Sequence, residues 1–424
     1  MASGWRDRRA ATPEGVIRKH HGDRLIVVFT ILLMFIGLLV IYAIGPQRAN
    51  LMNSVFGFEY SDGYFFWKQL LSIGLAVGGF WAASLIPYNW ILKHGNKVLI
   101  AGFIACALLA IGGWTGIVAG TNGAVRWIDL GPLGSVQPAE ILKFGVLLYL
   151  AVFLAVRTKE GKINDLKETL FPVAAIAGFA LLFVIVFQKD LGTGISLTAI
   201  VATMLFVAGI SKKIVFGLIG VLLVSGILLI FTSPHRVERV MTYLQGDNTS
   251  TQDADAYHIQ HAKIAIGSGG FLGVGIGDSV QASGYLPEAI NDSIFAIIGE
   301  TFGFVGTVAL LALFVALLMR LLGVVDGMID LRLKLLAAGV FGWLAAHVIL
   351  NIAAMIGIFP LTGITLPLLS YGGTSMIFMA AALGLVFQLS KYTVHPSRIK
   401  ETIDENSRSR RGVGRTRNAS RRGA

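Results

Sequence analysis

At 424 residues, with 55% hydrophobic and only 14% charged residues and a formal net charge of +11, the chain is not an ordinary soluble protein. Long apolar runs recur along most of its length, as in a polytopic membrane protein, and no separate soluble domain of useful size stands out. The single cysteine, Cys106, lies in an apolar run, so an intrachain disulfide and a two-cysteine metal or redox motif are both excluded.

The chain opens with a basic tail, 1–24, carrying Arg6, Arg8, Arg9, Arg18, Lys19 and Arg24. The apolar run that follows is too long for a signal-peptide core and lacks a persuasive cleavage site, so it reads as an uncleaved span. Apolar patterning predicts an all-α membrane domain over 25–390 with ten transmembrane helices, roughly at 25–44, 65–86, 98–115, 139–156, 170–187, 191–209, 214–232, 293–319, 334–357 and 371–389. Each is about long enough to cross ~30 Å of hydrocarbon as a helix. Only Gln188, Lys189 and Asp190 separate the fifth from the sixth, which predicts a tight hairpin.

An even number of spans puts both termini on one side. Lys and Arg crowd that side, whereas the other holds Arg48, Arg126, Lys189, Arg236, Arg239 and Lys263. The positive-inside rule therefore predicts cytoplasmic termini and an outer-face location for the long loop 233–292 between helices 7 and 8. The last segment, 391–424, is basic, rich in Arg, Ser and Gly, and is expected to be disordered. In a membrane protein such a tail marks the cytoplasmic side and attracts anionic headgroups, so no nucleic-acid partner is expected.

Polar residues at the outer ends of the spans are the candidates for chemistry. Gln137-Pro138-Ala139-Glu140-Ile141-Leu142-Lys143 reads as a helix start, with Pro138 in the first turn. Glu140 and Lys143, spaced i,i+3, form either a structural ion pair with a snorkelling lysine or the polar wall of an outward-open cavity, where Arg126 would bind an anionic headgroup. Asp190 is suited to capping the sixth helix. Arg236 and Arg239 add forked cations to the same face, which suits a lipid-linked phosphate or pyrophosphate better than a simple ion.

In the long loop, Gly267, Gly269, Gly270, Gly273, Gly275 and Gly277 lack the flanking strand and helix of a nucleotide-binding unit. They predict permissive backbone for a re-entrant or tightly packed loop. His235, His258 and His261 share the loop, but their spacing is a weak zinc signal and no HExxH motif occurs. Pro287 is suited to a helix start, which would put Glu288 and Asp292, four apart, on one face of the first turns. Those acids either complement the helix dipole or act as functional carboxylates at the apolar boundary. His347 in the ninth span reads as a hydrogen-bonded interior residue rather than a proton relay. The Pro- and Gly-punctuated segment 359–375, which contains Ser370, is expected to be non-helical and either buried in protein or lining a wet cavity.

In order and spacing, Gly123–Lys143, Gln188–Thr193, Gly267–Gly306 and Pro360–Ser375 resemble the SEDS family (shape, elongation, division and sporulation proteins) across about residues 25–390. The stretch Gly275-Ile276-Gly277-Asp278-Ser279-Val280-Gln281, followed by Tyr285-Leu286-Pro287-Glu288-Ala289, resembles the division branch more than the elongation branch. The pattern departs from the family at Lys189, where proline is usual, at Ser293, where Phe is frequent, and at Thr301, where a second acid is frequent.

The resemblance implies a peptidoglycan glycosyltransferase. Such an enzyme polymerises lipid II on the outer face of the bacterial cytoplasmic membrane, with a cognate class B penicillin-binding transpeptidase and other division proteins as partners. It places the family's essential acid on Asp292. The donor would be a polyprenyl-pyrophosphate-linked glycan and the acceptor the 4-hydroxyl of an incoming lipid II. A β-1,4 product from an α-linked donor requires inversion, with Asp292 as the base. Arg126, Lys143, Lys189, Arg236 or a divalent cation (Mg2+ or Mn2+) would assist the leaving pyrophosphate, and Glu288 with Asp292 are alternative holders of such a metal. Gln137, Glu140, Asp190 and Ser370 complete the expected substrate-binding set. A lipid II flippase and a division scaffold are the readings from other classes.

Overall fold

The computed structural model describes residues 21–115, 125–129, 131, 135–214, 217, 220 and 254–393. Its helices are α1 (Arg24–Phe56), α2 (Tyr64–Leu85), α3 (Tyr88–Lys93), α4 (Gly95–Trp114), α5 (Pro138–Lys159), α6 (Leu166–Phe187, wound as a π-helix at each end), α7 (Leu191–Val207), α8 (Ala254–Ser268), α9 (Ile294–Gly327), α10 (Leu331–Met355) and α11 (Gly373–Leu389). A two-stranded antiparallel ribbon, β1 (Ile128–Asp129) with β2 (Ser135–Val136), precedes α5. Every expected span except 214–232 falls on a helix. Most of that span lies outside the described residues, as do His235, Arg236, Arg239 and the tails 1–20 and 394–424.

Among the described residues, 7 helices (α1, α4, α5, α6, α9, α10 and α11) are long and apolar enough to cross a membrane. Helix α7 is apolar but shorter. The chain is a multi-pass, all-α membrane protein. In α5, α10 and α11, 67% of the apolar window is buried, against 22% in α4, so these three form the centre and α4 lies at the edge. Helices α4 and α5 meet through small residues. A Cβ on Gly102 would stand 2.7 Å from Leu142 Cα, and one on Gly145 would stand 2.6 Å from Leu99 Cα. Close backbone approach of this kind is how helices pack where lipid removes the hydrophobic drive.

Three features go beyond the apolar pattern. Helix α1 does not end near 44 but runs through Pro46 to Phe56, where Gly57, at φ 70, closes it by donating its N–H to Asn53 O. The extension is held from outside: Gln47 Nε2 donates to Gly277 O at 3.1 Å. Helix α8 forms within what was expected to be loop.

Helix α9 is broken at Gly303 (φ 64), and the glycine-rich segment after α8 docks its backbone into the break. Val274 N and Gly275 N donate to Glu300 O and Thr301 O, while Phe304 N and Val305 N donate to Gly270 O and Phe271 O. A Cβ on Gly269, Gly273 or Gly303 would overlap the facing backbone. The glycines thus let two polar backbones satisfy each other at a helix break, as an apolar setting demands.

Candidate active site

Five contacts gather separate segments at one end of the bundle. Thr374 Oγ1 donates to Ser135 O, and Tyr371 N donates to Ile290 O at 2.8 Å. Gln137 Nε2 donates to Asp190 Oδ2 at 3.0 Å. Asn351 Nδ2 donates to the backbone oxygen of Asp292 at 2.7 Å. Arg48 Nη2 stands 3.9 Å from Glu288 Oε1. Here α5, α7, α9 and α11 begin and α1, α6 and α10 end.

Asp190 caps α7. Its Oδ1 accepts from Thr193 N at 2.9 Å, and its Oδ2 accepts from Thr193 Oγ1 at 2.8 Å as well as from Gln137. That is the capping role its position predicted. Arg126 lies over the same turn, donating from Nε to Gln188 O at 3.2 Å and from Nη2 to Lys189 O at 2.7 Å. Lys189 adopts φ 54, in the left-handed region. A proline ring cannot take that angle, so this backbone excludes proline at 189.

Glu140 and Lys143 form a buried ion pair one turn inside α5, with Lys143 Nζ 2.8 Å from Glu140 Oε1. The expectation of a snorkelling lysine is overturned: Lys143 is fully buried, with its ammonium 4.7 Å from the centroid of the Trp343 ring. A carboxylate on one side and an aromatic face on the other hold the charge inside the bundle. Trp343 Nε1 donates to His347 Nε2 at 3.2 Å, and Ser196 Oγ lies 3.1 Å from the same nitrogen. An indole N–H is only a donor, so His347 keeps its proton on Nδ1, which faces Thr365 O at 3.4 Å. His347 is therefore a hydrogen-bonded interior residue.

Glu288 and Asp292 do not share a helical face, and Pro287 does not open a helix. Residues 287–293 form a turn, α9 begins at Ile294, and Glu288 sits at φ 49. Ser293 closes that turn, donating from N to Glu288 O at 3.2 Å and from Oγ to Pro287 O at 2.9 Å. The two acids then diverge. Asp292 is buried, 8% exposed, whereas half of the Glu288 side chain is exposed and accepts from Asn291 Nδ2. Asn351 anchors Asp292 to the non-helical segment by donating to Ile364 O at 2.7 Å as well. Ser370 serves that segment: its Oγ accepts from Leu366 N at 2.8 Å, and Leu361, Leu366, Leu368 and Leu369 around it are buried. Of the two fates foreseen for this segment, burial in protein describes these residues.

Two positioning features are not evident from spacing. Glu300, buried in α9, accepts from Ser279 Oγ at 2.5 Å, Val280 N at 3.0 Å and Gln281 N at 3.2 Å, and so anchors the loop before the turn. Trp343, His347 and Asn351 recur every fourth residue of α10, forming a stripe that runs from the Glu140–Lys143 pair to Asp292. A lone Asn in an apolar span is the signal that points to Asn351.

Known proteins resemble this chain in sequence and in fold. The FtsW/RodA/SpoVE family, described as cell cycle protein, matches residues 23–395. Stage V sporulation protein E of Bacillus subtilis is 35% identical, over 89% of this chain and 99% of that protein. The probable peptidoglycan glycosyltransferase FtsW of Coxiella burnetii is 32% identical, over 88% of this chain and 96% of that protein. Among solved structures, a chain of a peptidoglycan synthase complex that coordinates polymerization and crosslinking aligns with TM-score 0.68 and 26% identity, covering 87% of this chain and 98% of that one. The rod shape determining protein RodA of Thermus thermophilus shares the fold, with TM-score 0.62 and 24% identity over 88% of this chain and 98% of its own. On the family match and these full-length relatives, the chain belongs to the FtsW/RodA/SpoVE family of cell cycle proteins.

Proposed function

We propose that this chain is an inverting peptidoglycan glycosyltransferase. It polymerises lipid II into β-1,4-linked glycan on the outer face of the bacterial cytoplasmic membrane during division, with Asp292 as general base. The observation that carries the reading is the buried Asp292 carboxyl group, whose backbone oxygen is fixed by Asn351 at the end of the bundle that also holds Arg126, Lys189 and Glu288. A base must be held still at the reacting hydroxyl, and a doubly anchored turn does that.

The 4-hydroxyl of the incoming lipid II attacks C1 of the MurNAc that is linked to polyprenyl pyrophosphate. The C1–O bond to the pyrophosphate breaks as Asp292 takes the hydroxyl proton. The reading assigns the leaving pyrophosphate to Arg126, which bonds to the α6–α7 turn, and to Lys189 within that turn, with Arg236 outside the described residues. Lys143 is a wall rather than a contact, because touching phosphate would require it to exchange Glu140 for the substrate.

Mg2+ or Mn2+ at the pyrophosphate would neutralise leaving-group charge, with Asp292 or Glu288 and the substrate's own oxygens as ligands. Among the described residues no three His, Cys, Asp or Glu side chains converge as a metal cage. The same reading gives cytoplasmic termini, a cognate class B penicillin-binding transpeptidase and other division proteins as partners.

The test is to incubate the purified chain and its transpeptidase with labelled lipid II, in detergent and in proteoliposomes. Glycan polymer is the expected product. Absence of polymer together with lipid II crossing the bilayer would replace the enzyme with a transporter. Recruitment of division proteins with neither activity would leave a scaffold.

A further inference from the structure

The turn that carries Asp292 is also held from α8. Ser293 Oγ lies 2.5 Å from His258 Nε2 and 2.9 Å from Pro287 O. A hydroxyl has one proton to donate, and a carbonyl only accepts. If the Ser293 proton goes to Pro287 O, the bond to the imidazole must run the other way, with His258 donating from Nε2. Both residues are buried, with Ser293 fully so and His258 at 8% exposure. Ser293 is bonded to Asp292 along the chain, and Asn351 fixes Asp292 O from another helix. The base is therefore set between two side-chain donors on different helices, α8 and α10.

We propose that His258 is a positioning residue for the polymerisation reaction. Its Nε2–H, acting through the Ser293 hydroxyl, fixes the 287–293 turn and hence the aim of the Asp292 carboxylate at the acceptor hydroxyl. His258 touches neither substrate nor reacting atoms. It acts because displacing a base by about 1 Å costs up to about 100-fold in rate. The inference rests on the enzymatic reading above.

The experiment measures kcat and KM for lipid II polymerisation by the full chain with its transpeptidase. It compares wild type, His258→Ala, His258→Gln, Ser293→Ala, the His258→Ala/Ser293→Ala double variant and Asp292→Asn. A glutamine amide places an N–H near the imidazole Nε2. The expected result is a roughly 10- to 100-fold fall in kcat for His258→Ala and Ser293→Ala with KM nearly unchanged. His258→Gln should restore most of the rate, and the double variant should be no slower than either single one, because both remove the same link.

Wild-type kcat in His258→Ala, a Gln variant as slow as the Ala variant, or additive losses in the double variant would each overturn the proposal. If His258→Ala does not accumulate in membranes, Ser293→Ala against Ser293→Thr reads the same link, and equal rates for those two overturn it. Lack of polymer from wild type strikes the function itself. Unchanged rates in the His258 variants beside an inactive Asp292→Asn strike the positioning role alone.

Discussion

Asn351 Nδ2 lies 2.7 Å from the backbone oxygen of Asp292 and the same distance from that of Ile364. One amide thus ties the turn before α9 to the non-helical segment before α11. Replacing Asn351 with Leu keeps the volume and leaves two buried carbonyls without this donor. At about 1–3 kcal/mol for each unsatisfied buried group, the expected loss is about 2–6 kcal/mol. Thermal unfolding in detergent should show it, and polymerisation should fall at least about 10-fold, since the same bond aims the base.

The break in α9 gives a contrast between two glycines. Gly303→Ala forces a Cβ against Gly273 N at φ 64, which combines left-handed strain with overpacking and should cost about 2–5 kcal/mol. Gly267→Ala meets nothing within 4 Å and sits in α8, so it should be neutral or stabilise by up to about 1 kcal/mol. Melting temperatures of the two variants check this, and similar values would remove the backbone-docking account of the glycine-rich loop.

Lys189 separates backbone from charge. Its φ of 54 costs a non-glycine residue about 1–2 kcal/mol, so Lys189→Gly should gain up to about 1 kcal/mol and Lys189→Pro should lose more than that. If the ammonium also meets the pyrophosphate, Lys189→Gly raises KM for lipid II while the melting temperature holds or rises. An unchanged KM would confine Lys189 to shaping the hairpin.

The Glu140–Lys143 pair distinguishes structure from binding. Removing one partner strands a buried charge, and Glu140→Gln or Lys143→Met should each destabilise by about 3–5 kcal/mol. Removing both, as Glu140→Leu/Lys143→Met, should recover most of that loss. A recovered fold with recovered polymerisation makes the pair structural, whereas a recovered fold without activity makes it part of the site.

The spans were legible because an apolar run long enough to cross a bilayer leaves the backbone no alternative to a helix. The Gln188–Asp190 hairpin, the Asp190 cap and the buried role of His347 followed from local chemistry. The turn at Glu288 did not, because Pro287 constrains its own φ and the residue before it, not the residues that follow. The chain past it is directed by Ser293 and by Asn351, a residue 59 positions from Asp292. Lys143 misled for a related reason: snorkelling is a property of one helix, whereas Trp343 that covers its ammonium belongs to another. Long-range partners of single polar side chains are what a local pattern does not carry.

Polymerisation of lipid II by the complex with its transpeptidase, comparing wild type with Asp292→Ala and Asp292→Asn at matched folding and complex formation, tests the central claim most directly. Glycan strands from wild type and at least about 100-fold less from either variant is the expected result for loss of a general base. Equal polymerisation by all three would contradict it and remove Asp292 from the reaction.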